Sequence, residues 1–186
     1  MKRNNLIFLS VVIFIVVAAL ILFGKLSQRP NEKTSAEFSL SPTEQVLQRD
    51  LSIDYPQSPK AVVKYYAQLS QAMYDEQNTD EQIKRLAHQS RRLFDSELYN
   101  NQTDEDYLAR LMREIENYKK DGRKIMSFSL SAATDVEYQK TDDGEYATLY
   151  CNYSMQKEGA IYSDKEHFIL RKDGEGHWKI LGWQNR

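Results

Sequence analysis

The chain has 186 residues, with 25 Lys and Arg against 27 Asp and Glu, a formal net charge of −2 at pH 7. That balance carries no general attraction for nucleic acid or anionic lipid headgroups. Its single cysteine, Cys151, excludes an intrachain disulfide, and the roughly 130 residues from residue 58 onward suit one domain with its own core.

In chain order, residues 1–5 form a short tail. Residues 6–23 read LIFLSVVIFIVVAALILF, without charge, Gly or Pro. As a helix this run would span about 27 Å, close to the thickness of the hydrocarbon layer, and it predicts a single transmembrane anchor. A cleaved signal peptide is the competing reading. Signal h-regions are shorter and end in a small-x-small site, which residues 20–25 (LILFGK) do not offer. The short tail favours an N-terminus inside and a C-terminal domain outside the cell membrane.

Residues 24–40 are polar and aperiodic and predict a flexible linker. All four prolines fall between Pro30 and Pro59, so the folded domain is expected over 41–186 with its core from residue 58. Ser41-Pro42 starts a short helix that carries Val46, Leu47 and Leu51. Ser58-Pro59 caps the next, with Val62, Tyr66, Leu69 and Met73 on one stripe. Thr79 and Gln82 make a capping box for a helix whose buried face is Ile83, Leu86, Ala87, Leu93, Phe94 and Leu98. Thr103 caps a helix striped by Tyr107, Leu108, Leu111, Met112, Ile115 and Tyr118, which stops at Gly122.

From Lys124 the period changes to two. One strand is predicted from 124 to 138, with a bulge near Ala132-Ala133. A turn at Asp142-Asp143-Gly144 leads to a strand over 146–155 with Ala147, Leu149, Cys151, Tyr153 and Met155 on one face. Strands over 161–171 and 178–183 follow. The fold class is therefore α+β: a transmembrane helix, then three helices packed on a curved four-stranded antiparallel meander.

Chemistry-bearing motifs are sparse. There is no Gly-rich phosphate loop, no nucleophile elbow and no His or Cys pair at metal-ligand spacing, so no catalytic, cofactor or metal site is expected. His88 falls on the polar side of its helix and His177 at a turn. His167 lies within a strand, on the face of Ile169 and opposite Glu166 and Phe168. It is the one histidine with a route to a pocket. Tyr66, Tyr107, Tyr138, Tyr150, Tyr153 and Tyr162 could line a concave site, or fill a curved sheet's core with their hydroxyls at the rim. The pocket candidates are His167, Tyr66 and Tyr150.

Five stretches carry a family resemblance: residues 54–66 (DYPQSPKAVVKYY), 93–98 (LFDSEL), 135–138 (DVEY), 149–153 (LYCNY) and 168–174 (FILRKDG) on to Trp183. With the helices-then-meander order, the chain resembles the nuclear transport factor 2-like superfamily. It is closer still to uncharacterised, single-span membrane-anchored proteins of Gram-positive bacteria. That resemblance implies a cone-shaped α+β domain. Enzymes of the wider superfamily resemble ketosteroid isomerase, with an Asp or His base inside the cone, and no residue here is matched to that base. Non-catalytic members include single-span components of type IV secretion and conjugation channels. Function is therefore expected to be a membrane-anchored, non-catalytic binding or assembly module with a protein partner or self-association. The alternative is a small-molecule carrier, or an isomerase- or dehydratase-like enzyme, using the cone pocket.

Overall fold

The computed structural model describes residues 40–75 and 77–185, which belong to one compact unit beginning at Leu40. The expected span at 6–23 and the expected linker at 24–40, except for Leu40, lie outside the described residues. Among the described residues, no helix is long and apolar enough to cross a membrane.

Five helices come first: α1 (Pro42–Leu47), α2 (Pro59–Met73), α3 (Asp80–Arg91), α4 (Ser96–Asn100) and α5 (Asp104–Lys120). Each start has a side-chain oxygen accepting a backbone N–H that the helix cannot satisfy itself. Ser41, Ser58, Asp95 and Thr103 serve α1, α2, α4 and α5, and Thr79 with Gln82 closes the capping box of α3. The stripes read from the sequence face inward: Val62, Leu69, Leu86 and Leu93 are fully enclosed.

Five strands follow: β1 (Arg123–Leu130), β2 (Glu137–Thr141), β3 (Gly144–Lys157), β4 (Ala160–Lys172) and β5 (Trp178–Asn185). β3 pairs antiparallel with β4, and β4 with β5. On the other side of β3, β1 runs along its second half (Leu130↔Cys151) and β2 along its first half (Glu137↔Thr148). The inward face carries Ala147, Leu149, Cys151, Phe168, Leu170 and Ile180, all closed to solvent and packed with the helical core residues. Burial pushes the Cys151 thiol up to about 12, so it behaves as a small apolar group.

These observations correct the expected three helices on a four-stranded meander. The strand expected over 124–138 is two strands. Between them, Ser131 takes over the ladder: its N–H donates to Tyr150 O, and its Oγ accepts from Tyr150 N. A 3-10 turn at Ala133–Asp135 then re-aims the chain so that Val136 is buried and β2 can start. Apolar alternation alone cannot register such a break, because Ser can satisfy the backbone as a turn or as a strand residue.

The helix expected over 79–98 is likewise two helices. It stops after Arg91 because the next residues are claimed by the sheet. Ile180 N–H donates to Leu93 O at 2.8 Å, and Asp95 N–H donates to Ile180 O at 2.8 Å. Asp95 then caps α4 through Glu97 N–H. Its carboxylate also accepts Nε (3.0 Å) and Nη2 of Arg171 on β4, and Arg171 Nη1 reaches Glu97 at 2.8 Å.

Burial alone would raise the Asp95 carboxyl. The hydrogen bonds from Arg171 and the Glu97 N–H, with the Arg171 charge, outweigh it and hold Asp95 below the usual carboxylate range. A carboxyl depressed in the folded state stabilises fully above the unfolded-chain value of about 4, and the contribution is lost as pH falls through the lower folded value. Asp95→Ala is expected to destabilise by about 2–4 kcal/mol, since it removes a helix cap and strands a shielded guanidinium. Chemical denaturation at pH 7 and pH 3 checks this. The variant's deficit should be large at neutral pH and shrink in acid.

Candidate functional site

The helices and the inward face of the sheet do not meet everywhere. They leave a cavity of about 420 Å³, within the size range of small-molecule sites. α2 and its C-cap contribute Tyr66, Ser70 and Tyr74, one stripe at four-residue spacing. α5 contributes Tyr107, Arg110, Glu114 and Tyr118, and the sheet contributes Tyr153, Met155, Asp164, Glu166 and Trp183. Tyr153 and Asp164 are direct cross-strand partners, so their side chains leave the sheet on the same face.

Rings build the apolar wall. Trp183 lies 5.3 Å from Tyr66 and 5.8 Å from Phe168, and Tyr74 lies 4.3 Å from Tyr118, centroid to centroid. Such offset and tilted pairs stabilise beyond the area they bury. They also hold the wall rigid.

The polar groups are few. Tyr74 Oη donates to Glu114 Oε1 at 2.7 Å. Tyr153 is 95% buried, and its hydroxyl makes no hydrogen bond of good geometry, although Ser70 and the Cys151 thiol lie near enough to act on it. Gln102 Oε1 is likewise shut from solvent and without a donor. Glu166 continues the inward alternation of Leu170 and Phe168, so β4 delivers a carboxyl where the pattern asks for an apolar side chain. Among the described residues Glu166 has no hydrogen-bond or ion-pair partner. Burial, and then the negative charges of Asp164 and Glu114, push its carboxyl up to about 7.

Of the three pocket candidates, Tyr66 lines this cavity and the other two do not. Tyr150 and His167 are cross-strand partners whose rings stack at 4.4 Å on the opposite face of the sheet, with Lys165 Nζ 4.0 Å from the Tyr150 ring. His167 is on the face of Ile169, as its parity requires, and that face is turned away from the helices. Sequence reasoning missed Glu166. The signal was available: an acid sharing a face with Phe168 and Leu170.

A second cluster, Asp173, Glu175 and His177, lies in the β4–β5 turn with ligand atoms within 4.8 Å of one another. The Asp173 carboxylate already accepts the N–H groups of Glu175 and His177, and the His177 ring packs on Tyr55 at 4.4 Å. These contacts account for the cluster as turn structure.

Fold and site together define an α+β protein with helices first, a five-stranded antiparallel sheet after them, and an aromatic cavity lined by three carboxyls, of which Glu166 lies deepest on the core face of β4. The chain belongs to the family described as a domain of unknown function (DUF6715), whose model matches residues 1–183. No curated protein matches it.

A carboxyl whose folded value lies above its unfolded value costs stability as pH rises between the two. The unliganded protein should therefore lose stability from pH 5 to pH 8. Glu166→Gln should raise stability by about 1–3 kcal/mol at pH 8 and by clearly less at pH 5. Urea melts of both proteins at the two pH values measure this, and an equal effect at both would place Glu166 outside the shielded site.

Proposed function

We propose that the folded unit is a binding module that holds a small molecule in the cavity between its helices and its sheet. The observation that carries the reading is Glu166, a carboxyl without an ion-pair partner among the described residues, on the core face of β4, that opens onto about 420 Å³ of ring-lined space. An apolar residue there would pack better and spare the desolvation cost. Perturbed titratable groups in clefts concentrate at functional sites. Tyr66, Trp183 and Tyr153 supply flat apolar contact, and the unpartnered Tyr153 hydroxyl supplies an orienting polar group. The apolar run at 6–23 supports attachment to the cell membrane with this unit on the outer side, as in the membrane-anchored proteins the sequence resembles.

A second reading, a protein partner or self-association, is supported by Met126, Ile161 and Tyr162. These are exposed apolar residues at the sheet end that holds the β3–β4 turn.

Ser70 gives a clean test of the cavity reading, because it lines the space without being closed in the core. Ser70→Phe fills the cavity. A fragment screen by ligand-observed NMR on the full chain should yield hits that the variant loses. Hits that persist in Ser70→Phe, or none in either protein, would overturn the reading. Reproducible in-cell crosslinks through residues 126, 161 and 162 would instead favour the second one.

A further inference from the structure

The polar groups around the cavity are unequal in sign and in hydrogen-bonding sense. Three carboxyls, Glu114, Asp164 and Glu166, share it with one guanidinium, Arg110. Arg110 does not offset Glu166, whose charge environment is set by Asp164 and Glu114. Glu114 has the Tyr74 hydroxyl. Asp164 and Glu166 have no ion-pair partner among the described residues. The two polar side-chain atoms buried beside them without partners, Tyr153 Oη and Gln102 Oε1, are both able to accept. An anion would meet three carboxylates there. A neutral apolar guest would leave every acceptor without a donor. What is missing is positive charge that carries N–H groups, set among ring faces that attract cations.

We propose that the cavity takes a small organic cation, a protonated amine on a compact apolar body, with the Glu166 carboxylate as its counter-ion and Tyr153 Oη accepting one of its N–H bonds. This assignment rests on the reading of the cavity as a ligand site and adds the class of ligand. Its consequence is a proton count. Glu166 must be ionised to pair with the amine, so binding releases a proton wherever the free protein holds one there.

The groups facing Glu166 are Asp164 on its own strand, Glu114 on α5, Tyr66 on α2, and Tyr153 and Cys151 on β3. Burial raises the two tyrosines and the thiol, so none of the three loses a proton between pH 6 and 8. His167 adjoins Glu166 in the chain, and its ring lies on the other face of the sheet.

Calorimetry on the full chain in neutral detergent tests this with three probes of one shape: phenethylammonium, 2-phenylethanol and phenylacetate. Phenethylammonium should bind at least about tenfold tighter than either comparator at pH 8. It should bind about tenfold tighter at pH 8 than at pH 6, with proton release that scales with buffer ionisation enthalpy. Glu166→Gln should weaken it about tenfold and flatten the pH profile. If phenylacetate or 2-phenylethanol binds as tightly and Ser70→Phe abolishes that binding, the cation assignment falls and the cavity reading stands. A preference for the cation that survives Glu166→Gln also overturns the assignment. If no probe binds, or Ser70→Phe binds them all unchanged, both fall.

Discussion

Three residues, Leu93 to Asp95, hold the helical layer to the sheet. A buried chain that leaves a helix must find new partners for its N–H and C=O groups, because water cannot supply them. Here β5 supplies both at one residue: Ile180 donates to Leu93 and accepts from Asp95. Arg171 on β4 then grips the Asp95 carboxylate. The result seats Leu93 in the core, brings Phe94 to within 6.0 Å of Trp183, and turns α4 outward. Everything on the cavity side of the fold takes its position from that seam.

The cavity follows from how unevenly the helices are held. α2 is enclosed along nine of its fifteen residues, whereas α5 buries only Leu111 and Ile115 of seventeen. The α5 residues toward the sheet, Tyr107, Glu114 and Tyr118, therefore form a wall rather than a core. Rings on both sides act as spacers. Phe168 and Trp183 stack, Tyr66 props against both, and the space beyond them cannot close without displacing an aromatic side chain from its packed position.

Much of this was legible in the sequence, and what was not has physical causes. Helix starts were readable because caps are local: Ser58, Thr79 and Thr103 act within three residues of themselves. The inward face of β3 was readable because alternation is local too. The two breaks were hidden because their causes are distant. Leu93, Phe94 and Leu98 sit at helical spacing from Ile83 and Leu86, and only Ile180, nearly ninety positions away, makes a helix there untenable. The break after Leu130 is hidden in the same way behind Ser131 and its partner Tyr150. In the candidate site, Tyr66 stands on a core stripe of α2 and lines the cavity. His167 and Tyr150 share strand faces with outward residues, and strand parity carried them to the far side. Glu166 had the right parity. A carboxyl on a core face was the informative anomaly, and the search for a titratable group had settled on histidine instead.

Glu166 is half-buried, and how this chain treats its more deeply buried polar groups sets it in context. Arg91, 3% exposed, is met by the carbonyls of Tyr99 and Gln102, by Asp104 and by two tyrosine faces. Asp95, 4% exposed, has Arg171 and a backbone N–H. The buried amide of Gln89 has Arg49 O and Tyr65 Oη. The matching is incomplete elsewhere too, since Arg91 Nη1 and Gln102 Oε1 lie buried without a hydrogen bond, but Glu166 is a carboxyl with no counter-charge among the described residues, and the Tyr153 hydroxyl lies beside the same cavity. Net stability is only about 5–15 kcal/mol in a typical domain, so an unanswered carboxyl consumes a noticeable fraction of it. Substitution by Leu or Val would recover that fraction without disturbing the alternation of β4. The carboxyl makes physical sense where a partner arrives from outside the fold.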